Sequence, residues 1–239
     1  MRRLTDDPGF DACPDYSRDG SQIAFCSNRS GSFEIWTMRH DGSRQHQLTD
    51  TGGFLTFPDW SPNGKRIAFC GSLDPDAPTG DIWVVNADGQ RIEQLTDDPS
   101  DDCFPTYSPD GSRILFISDR TGVPEIWIMN ANGRNERQLT FDGLPKDQVP
   151  EWSPDGRTIA YAADNRIWLM QRDGSDQHPI TDLGGGAFGA AFSPDGDEIA
   201  FLHDVGAGRN LFIVRTDGTG ARQVGTEGGY LVPSWRPRG

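Results

Sequence analysis

Long apolar runs are missing from this 239-residue chain, and none approaches the roughly 20 residues that a membrane-spanning helix needs. Positive charge is also scarce, because 22 Lys and Arg stand against 36 Asp and Glu, giving a formal net charge of −14. Proteins that bind nucleic acid neutralise phosphates with basic residues, and anionic membrane surfaces attract basic segments. The composition therefore argues against nucleic acid and membrane insertion, and it favours cations, basic proteins or neutral ligands as partners.

A signal peptide is not evident, since Met1-Arg2-Arg3 leads directly into Leu-Thr-Asp-Asp. We expect either a cytosolic protein or a mature or truncated form of an exported one. On this evidence alone the compartment is unknown.

Cysteine and histidine occur only four times each. No two cysteines have the C-x-x-C spacing of zinc or redox sites. Cys26 and Cys70 lie in matching apolar segments, IAFCS and IAFCG, where later copies carry Ile117, Ala162 and Leu202. Cysteine packs as a small hydrophobic residue, so we predict that the cysteines are buried thiols.

An internal repeat organises the chain around a short word, an aromatic residue followed by Ser-Pro-Asp-Gly or a variant of it. The aromatic falls at positions 16, 60, 107, 152, 192 and 235. Between successive words come an apolar run, an aromatic-centred run and a polar run, for example SRILFIS, EIWIM and RQLTF. We assign one domain, 1–239, with repeats at about 8–50, 51–97, 98–141, 142–182 and 183–226, and terminal strands in 1–7 and 227–239.

These runs are short, rich in Ile, Val, Phe and Trp, and bounded by Gly, Asp, Asn and Pro, which is typical of β-strands. Asp-Gly and Asn-Gly pairs recur between them as hairpin turns. Each repeat thus predicts a four-stranded antiparallel sheet that cannot bury both faces alone. Radial packing of such sheets predicts an all-β protein, a β-propeller with five complete repeats plus a partial sixth blade; a flat solenoid is the alternative.

The repeat pattern P-x-W-S-P-D-G, then I-A-F-x-S-x-R-x-G-x-x-E-I-W, N-A-D-G and Q-L-T, resembles that of TolB-type β-propellers, a WD-repeat-like family. The similarity is close at Pro14-Asp15-Tyr16-Ser17, Pro58-Asp59-Trp60-Ser61 and Ser118–Gly122, and it covers the whole chain. The resemblance implies six blades, protein partners and an extracytoplasmic, periplasmic location. It is specific for the fold and much less so for function, because one fold hosts many functions.

The resemblance also implies that the last inner strand, here Val232–Arg236, joins three strands supplied by the N-terminus. This chain offers only a remnant of the outermost strand at Arg2–Asp7. Three explanations stay open: a fragment of a larger propeller, a five-bladed ring with spare terminal strands, or a homo-oligomer that completes the blade between chains. We favour the six-fold plan with an incomplete blade.

Enzyme signatures are absent, with no G-x-S-x-G, H-E-x-x-H or P-loop motif. The histidines, His40, His46, His178 and His203, are scattered over the repeats. We therefore predict no catalytic residue, no cofactor-binding residue and no required cofactor. Arg29 and Arg120 recur in the S-x-R-x-G motif and are predicted to brace hairpins.

The candidate site is acidic. Counting back five residues from each repeated aromatic gives Asp11, Leu55, Asp102, Asp147, Ala187 and Tyr230. These positions precede the innermost strands, where the loops of all blades converge on one mouth of the central channel. We predict a channel-mouth binding site made of Asp11, Asp101, Asp102, Asp147 and Tyr230.

Within that site, Asp11, Asp102 and Asp147 are the candidate ligands of a weakly bound Ca²⁺ or other divalent cation, which prefers carboxylate oxygens, and a basic peptide would also fit. The alternative is that these residues cap turns and face water. A second acidic set, in the insertion Ser72–Asp81, is spaced more like an ordinary surface loop than a Ca²⁺ loop.

The function that follows is a non-catalytic binding module or scaffold for protein or peptide partners, through its loops and channel mouth. One alternative is a propeller fragment whose incomplete blade drives self-assembly. Another is an enzyme-associated or sugar-active propeller. A peptidase domain would have to lie beyond these residues, and a sugar-active site would need His and metal ligands converging on the channel.

Overall fold

The computed structural model describes residues 3–77, 79–146, 148–204, 206, 208–226 and 235. The described residues form five antiparallel sheets of four strands, each sheet built from strands that are consecutive in the chain. The sheets stand as blades around a common axis, which confirms the predicted all-β propeller. No helix of the length and hydropathy needed to cross a membrane is present in these residues.

The blades are numbered in chain order, and the first strand of each lies nearest the axis. Blade 1 consists of β1 (Asp11–Tyr16), β2 (Gln22–Ser27), β3 (Glu34–Arg39) and β4 (His46–Gln47). Blade 2 consists of β5 (Phe54–Trp60), β6 (Arg66–Ser72), β7 (Asp81–Asn86) and β8 (Glu93–Gln94). Blade 3 consists of β9 (Asp102–Tyr107), β10 (Arg113–Ser118), β11 (Glu125–Asn130) and β12 (Arg137–Gln138). Blade 4 consists of β13 (Glu151–Trp152), β14 (Thr158–Ala163), β15 (Arg166–Gln171) and β16 (His178–Pro179). Blade 5 consists of β17 (Ala187–Phe192), β18 (Glu198–Asp204), β19 (Arg209–Arg215) and β20 (Arg222–Thr226).

The repeated sequence motifs form turns and hydrogen bonds within each blade. In the first Ser-x-Asp-Gly turn, the Gly20 N–H donates to the Ser17 carbonyl at 2.7 Å, and Gly20 takes a left-handed φ of 66° that glycine adopts without steric cost. A Leu-Thr or Ile-Thr pair closes four of the repeats and has a separate role. Its threonine hydroxyl accepts the backbone N–H of an isoleucine in the third strand, at 2.8–2.9 Å, in Thr49, Thr96, Thr140 and Thr181.

A bulge interrupts four of the inner strands at the same place. The register between first and second strands shifts there in blades 1, 2, 3 and 5. The bulged residues Cys13, Phe57, Phe104 and Gly189 share a positive φ of 50–59°. Three of the four carry a side chain, and such backbone persists only where the surroundings hold it.

The core lies between the blades. Four apolar clusters each combine residues of two successive blades, from blades 1 and 2 to blades 4 and 5. For example, Ile82 and Val84 of blade 2 pack against Phe116 and Met129 of blade 3. Within the described residues, no apolar cluster joins blade 5 to blade 1.

The position between blades 5 and 1 holds parts of a sixth blade. Leu4 packs on Ile23 and Met38 of blade 1. On the other side, the Trp235 Nε1–H donates to the Ala191 carbonyl at 3.0 Å, much as Trp152 donates to the carbonyl of the preceding inner strand at 3.3 Å. Apart from Trp235, the predicted closing strand Val232–Arg236 lies outside the described residues.

The cysteine prediction is half wrong. Cys26 is a buried free thiol, and Cys13 is free and half-buried. Cys70 and Cys103, however, form a disulfide between blades 2 and 3, with Cα atoms 5.0 Å apart. Cys70 faces the neighbouring blade from β6, and Cys103 stands at the start of that blade's inner strand, so the fold brings together two residues that are 33 positions apart.

Candidate functional site at the channel and its mouth

The side chain immediately before each repeated aromatic lies between one inner strand and the next. In blades 1 and 2 this residue is aspartate, and it accepts a backbone hydrogen bond from the following blade. Asp15 Oδ2 accepts the Trp60 N–H at 2.8 Å, and Asp59 Oδ2 accepts the Tyr107 N–H at 2.8 Å. Each of these bonds uses one oxygen of the carboxylate, Oδ2, and does not involve the other.

The same position changes chemistry around the ring. In blade 3, the Thr106 hydroxyl donates to the Pro150 carbonyl at 3.0 Å, which links blade 3 to blade 4. Blade 4 has Glu151, whose carboxylate accepts no hydrogen bond from a described residue, and blade 5 has Ala191. The wall of the channel thus carries three carboxyl groups, which we call the channel carboxyls: Asp15, Asp59 and Glu151.

Burial raises the pKa of every channel carboxyl. It raises the pKa of Asp15 to about 7 and that of Glu151 to about 8, and it raises the pKa of Asp59 well above its usual range. The negative charge of Asp15 further raises the pKa values of Asp59 and Glu151. Because Asp15 and Glu151 belong to blades 1 and 4, this coupling acts across the channel, and near neutral pH the set holds a mixture of protonated and ionised groups.

The channel carboxyls are nevertheless not spaced as metal ligands. Across the described part of the chain, no three His, Cys, Asp or Glu side chains are grouped closely enough to hold a metal ion. A more extended cationic group, such as a lysine or arginine side chain, suits this spacing better than a single ion.

The predicted mouth residue Asp11 lies at the start of β1 and is paired with Arg29. Arg29 Nη2 lies 2.7 Å from both Oδ1 and Oδ2 of Asp11, and its Nε donates to the Ser27 hydroxyl at 3.0 Å. The guanidinium also stacks on Trp36, 4.9 Å from the ring centroid. Burial by itself would raise the pKa of Asp11, but hydrogen bonds from Arg29, Ser27 and Thr5 outweigh it and lower the pKa.

Asp102 repeats this arrangement in blade 3 at greater depth. Arg120 Nη2 donates to Asp102 Oδ2 at 2.7 Å, and Arg120 stacks 4.5 Å from the Trp127 ring. The Asp102 side chain is fully buried, and its Oδ1 has no hydrogen-bond partner among the described residues. Burial here exceeds the effect of the arginine and raises the pKa of Asp102 to about 6.

The remaining predicted mouth residues are distributed differently. Asp101 is exposed, and its Oδ1 accepts the Gly80 N–H at 2.8 Å. Asp147 and Tyr230 lie outside the described residues. The channel-mouth site and its cation ligands Asp11, Asp102 and Asp147 therefore stay predictions, with the structure adding that an arginine already contacts two of the three carboxylates.

An apolar cluster that sequence reasoning missed lies at the same end of the ring. Phe10, Phe33 and Phe54, which we call the mouth patch, come from the link before β1, the hairpin before β3 and the first position of β5. Phe10 is 63% exposed and Phe54 is 55% exposed. Their rings meet that of Phe33 edge-on, with centroids 6.1 and 5.1 Å apart. Phe10 stands one residue before the predicted mouth residue Asp11, and Phe54 stands one residue before Leu55, which matches Asp11 in the next repeat. This shared spacing is the signal that could have located them.

The four histidines do not converge. His40 and His46 are exposed in blade 1, His178 is exposed in blade 4, and His203 in blade 5 is buried against Phe212 with a centroid separation of 5.1 Å. No pair of them shares a cleft with the channel carboxyls.

Five four-stranded blades around a carboxyl-lined channel, with exposed aromatic rings at one mouth, define a β-propeller. The sequence profile of the TolB beta propeller domain matches residues 1–74 and 49–166. The chain belongs to the TolB beta-propeller family.

Individual relatives are similar over shorter stretches. The Tol-Pal system protein TolB of Anaeromyxobacter dehalogenans (strain 2CP-C) is 36% identical over 91 residues, which are 36% of this chain and 21% of the relative. The uncharacterized peptidase YuxL of Bacillus subtilis (strain 168) is 31% identical over 74 residues, or 29% of this chain and 11% of the relative. The matches thus span about a fifth or less of these curated relatives.

A solved structure described as a putative TolB from Agrobacterium tumefaciens superimposes with a TM-score of 0.80 at 24% identity, covering 99% of this chain and 89% of that one. At this identity the likeness supports the fold alone.

Proposed function

We propose that this propeller is a non-catalytic binding module or scaffold whose channel mouth takes a segment of a protein or peptide partner. The mouth patch carries the proposal. Exposed clusters of large apolar side chains on soluble domains mark interaction sites, and aromatic residues dominate the energy of protein interfaces. Phe10 and Phe54 are such residues, held by the rigid blades behind them.

The partner chemistry follows from charge. With a net charge of −14 and the channel carboxyls below the mouth patch, a basic segment gains electrostatic attraction as it approaches. The bound segment would place apolar side chains on Phe10, Phe33 and Phe54 and a lysine or arginine toward the channel. The Tol-Pal relative is consistent with a protein partner.

An extracytoplasmic location is part of the proposal. Disulfides persist in oxidising compartments and are rare in the cytosol. The Cys70–Cys103 bridge therefore supports a periplasmic or otherwise exported setting, as the TolB resemblance implies.

A weak divalent cation at the mouth is a further component. Asp101 is exposed there, and Asp11 and Asp102 would have to exchange their arginine partners for the ion. Millimolar Ca²⁺ is expected to raise the melting temperature of wild type more than that of an Asp101→Asn, Asp147→Asn variant. An unchanged melting temperature in wild type would refute the proposal that a cation binds at the mouth.

A second candidate function, that of a propeller domain attached to an enzyme, is favoured by the similarity to the YuxL peptidase. In that case the peptidase domain lies beyond these residues and the propeller controls access to it. The mouth patch would then contact the catalytic domain rather than a separate partner.

The deciding experiment selects random linear peptides on the 239-residue protein and measures their affinities by calorimetry. We expect selected peptides to combine aromatic and basic residues. Phe10→Ser with Phe54→Ser should weaken their binding by about tenfold or more, as for truncated aromatic anchors. Val224→Ser, which alters an exposed apolar residue on the outermost strand β20, is the matched control. Equal affinities for both variants would refute the mouth as the binding surface.

A further inference from the structure

Two free thiols lie together in blade 1. Cys26 in β2 is paired with Ala12 of β1, and its Sγ–H donates to the Ala12 carbonyl at 3.4 Å. Cys13 follows Ala12 and is the bulged residue of β1, with a φ of 51°. Both cysteines pack in the apolar cluster between blades 1 and 2, and their thiols lie within hydrogen-bonding range of each other. The bulge therefore brings together two sulfur atoms that no redox spacing motif connects in the sequence.

The next blade shows why Cys26 is free. Cys70 occupies the matching place in blade 2, and it bonds to Cys103 of the following blade. A corresponding bridge from Cys26 would need a cysteine at Thr56, which holds the place of Cys103 in blade 2. Because Cys70 and Cys103 are bonded to each other, Cys13 is the one remaining cysteine that Cys26 could pair with.

The two thiols differ in exposure and in acidity. Cys13 is half-buried, whereas Cys26 is only 1% exposed. A hydrogen bond from Cys26 lowers the pKa of Cys13; burial opposes this shift, and the Phe57 N–H adds to it. The same hydrogen bond, together with burial and the negative charge of ionised Cys13, raises the pKa of Cys26. Because the thiolate is the reactive form, Cys13 is suited to attack and Cys26 to act afterwards.

We propose that Cys13 and Cys26 form a redox-active dithiol that reduces the disulfide of a small thiol compound, with Cys13 as the attacking residue and Cys26 as the resolving residue. A small disulfide suits the site, because Cys13 is only partly exposed. The proposal is independent of the binding proposed for the mouth patch.

The reaction has two exchange steps. The Cys13 thiolate attacks one sulfur of the small disulfide, which forms a mixed disulfide and releases one small thiolate. Cys26 then loses its proton and attacks the Cys13 sulfur, which closes a Cys13–Cys26 disulfide and releases the second thiolate. The small disulfide gains two electrons and the cysteine pair loses two, and the released thiolates take up the protons that the cysteines gave up.

Glutathione disulfide is the probe, added in excess to the folded 239-residue protein at pH 7. Alkylation after an acid quench, followed by peptide mass mapping, identifies the state of each cysteine. We expect wild type to release two equivalents of reduced glutathione and to gain a Cys13–Cys26 disulfide. Cys26→Ala should stop at a glutathione adduct on Cys13, and Cys13→Ser should leave Cys26 unmodified, because Cys26 is covered.

Thermal unfolding of both variants checks that their blades are folded. Alkylation of wild type by iodoacetamide needs no variant, and Cys13 should react at least about tenfold faster than Cys26, because only Cys13 is partly exposed. A glutathione adduct that persists in wild type without a Cys13–Cys26 disulfide would overturn the proposal. So would the absence of any reaction at Cys13, or a reaction of Cys26 in Cys13→Ser as fast as that of Cys13 in wild type.

Discussion

Two sets of carboxyl groups lie at opposite ends of the inner strands, four residues apart on β1, and their chemistry differs. Asp11 and Asp102 begin their strands and each contacts an arginine from the adjacent hairpin. Asp15 and Asp59 lie near the ends of theirs, and each accepts a hydrogen bond from a backbone N–H of the following blade. The first set is neutralised in place, whereas the second keeps its charge or takes up a proton.

The two sets differ because the arginine side chains can reach only one end of the inner strand. Arg29 and Arg120 follow the second strand, whose end lies beside the start of the inner strand, so their side chains cover that end alone. Beyond the bulge at Cys13 or Phe57, the next carboxylate turns toward the following blade instead. On β1, the acidic residue at the start of the strand is therefore paired with an arginine, whereas the one near its end accepts a backbone N–H instead.

The largest expected effect comes from removing the deeper arginine. Arg120→Met keeps much of the packing on Trp127 but leaves the fully buried Asp102 without its cation. Breaking a buried ion pair in this way costs about 3–5 kcal/mol of unfolding free energy. Urea unfolding at neutral pH measures it. The cost should shrink near pH 5, where Asp102 becomes protonated, and a cost that is independent of pH would contradict the role given to the pair.

A smaller effect concerns pH and the channel carboxyls. Their folded pKa values are raised above those of an unfolded chain, so the stability they contribute is complete below about pH 4 and is lost as the pH rises through about 7 and 8. Unfolding free energy should therefore fall between about pH 5 and about pH 8. Asp15→Asn with Glu151→Gln should flatten that slope and stabilise the protein by roughly 1–3 kcal/mol at the upper end.

Measurement of unfolding free energy across this range, with Asp41→Asn as a surface control, decides the point. Asp41 lies in an exposed turn, and hydrogen bonds from Ser43 lower its pKa, so its replacement should not flatten the slope. An unchanged slope in the double variant would mean that the channel carboxyls titrate as exposed groups do.

The smallest effect is expected at the shallower arginine. Arg29→Met should cost about 1 kcal/mol, because Asp11 is 13% exposed and water can replace part of the lost interaction. Added salt should reduce this cost but alter that of Arg120→Met much less. Equal costs for the two variants in urea unfolding would show that depth does not distinguish the pairs.

The sequence predicts the fold well, because the residues that specify the strands, the turns and the threonine hydrogen bonds of a blade all lie within one repeat. The Ser-Pro-Asp-Gly word and the Leu-Thr pair correspond to hydrogen bonds within one blade, so one copy suffices to interpret them. The site is harder to predict from the sequence, because it forms between blades. Asp15 and Asp59 stand in the quoted Pro-Asp-aromatic motif, yet their hydrogen bonds go to residues 45 and 48 positions away.

The same reason explains the disulfide. Cys70 and Cys103 belong to different repeats, and no spacing rule within one repeat connects them. Phe10 and Phe54 are separated in the chain by a whole repeat, and only the parallel stacking of the blades brings them against Phe33.

The hydrogen bonds between inner strands have a mechanical consequence. They run from Asp15 through Asp59 to Thr106 and then stop, because neither Glu151 nor Ala191 has a side-chain hydrogen bond to a described residue of the next blade. Within the described residues, the ring is accordingly an arc of four blades linked by these inner-strand bonds. The fifth blade is attached by apolar contacts and by the hydrogen bond from the Ala187 N–H to the Asn165 carbonyl at 3.1 Å, beside a groove of about 630 Å³ between blades 4 and 5. Under tension, or in the first step of thermal opening, the fifth blade should swing away as a unit while the arc stays whole.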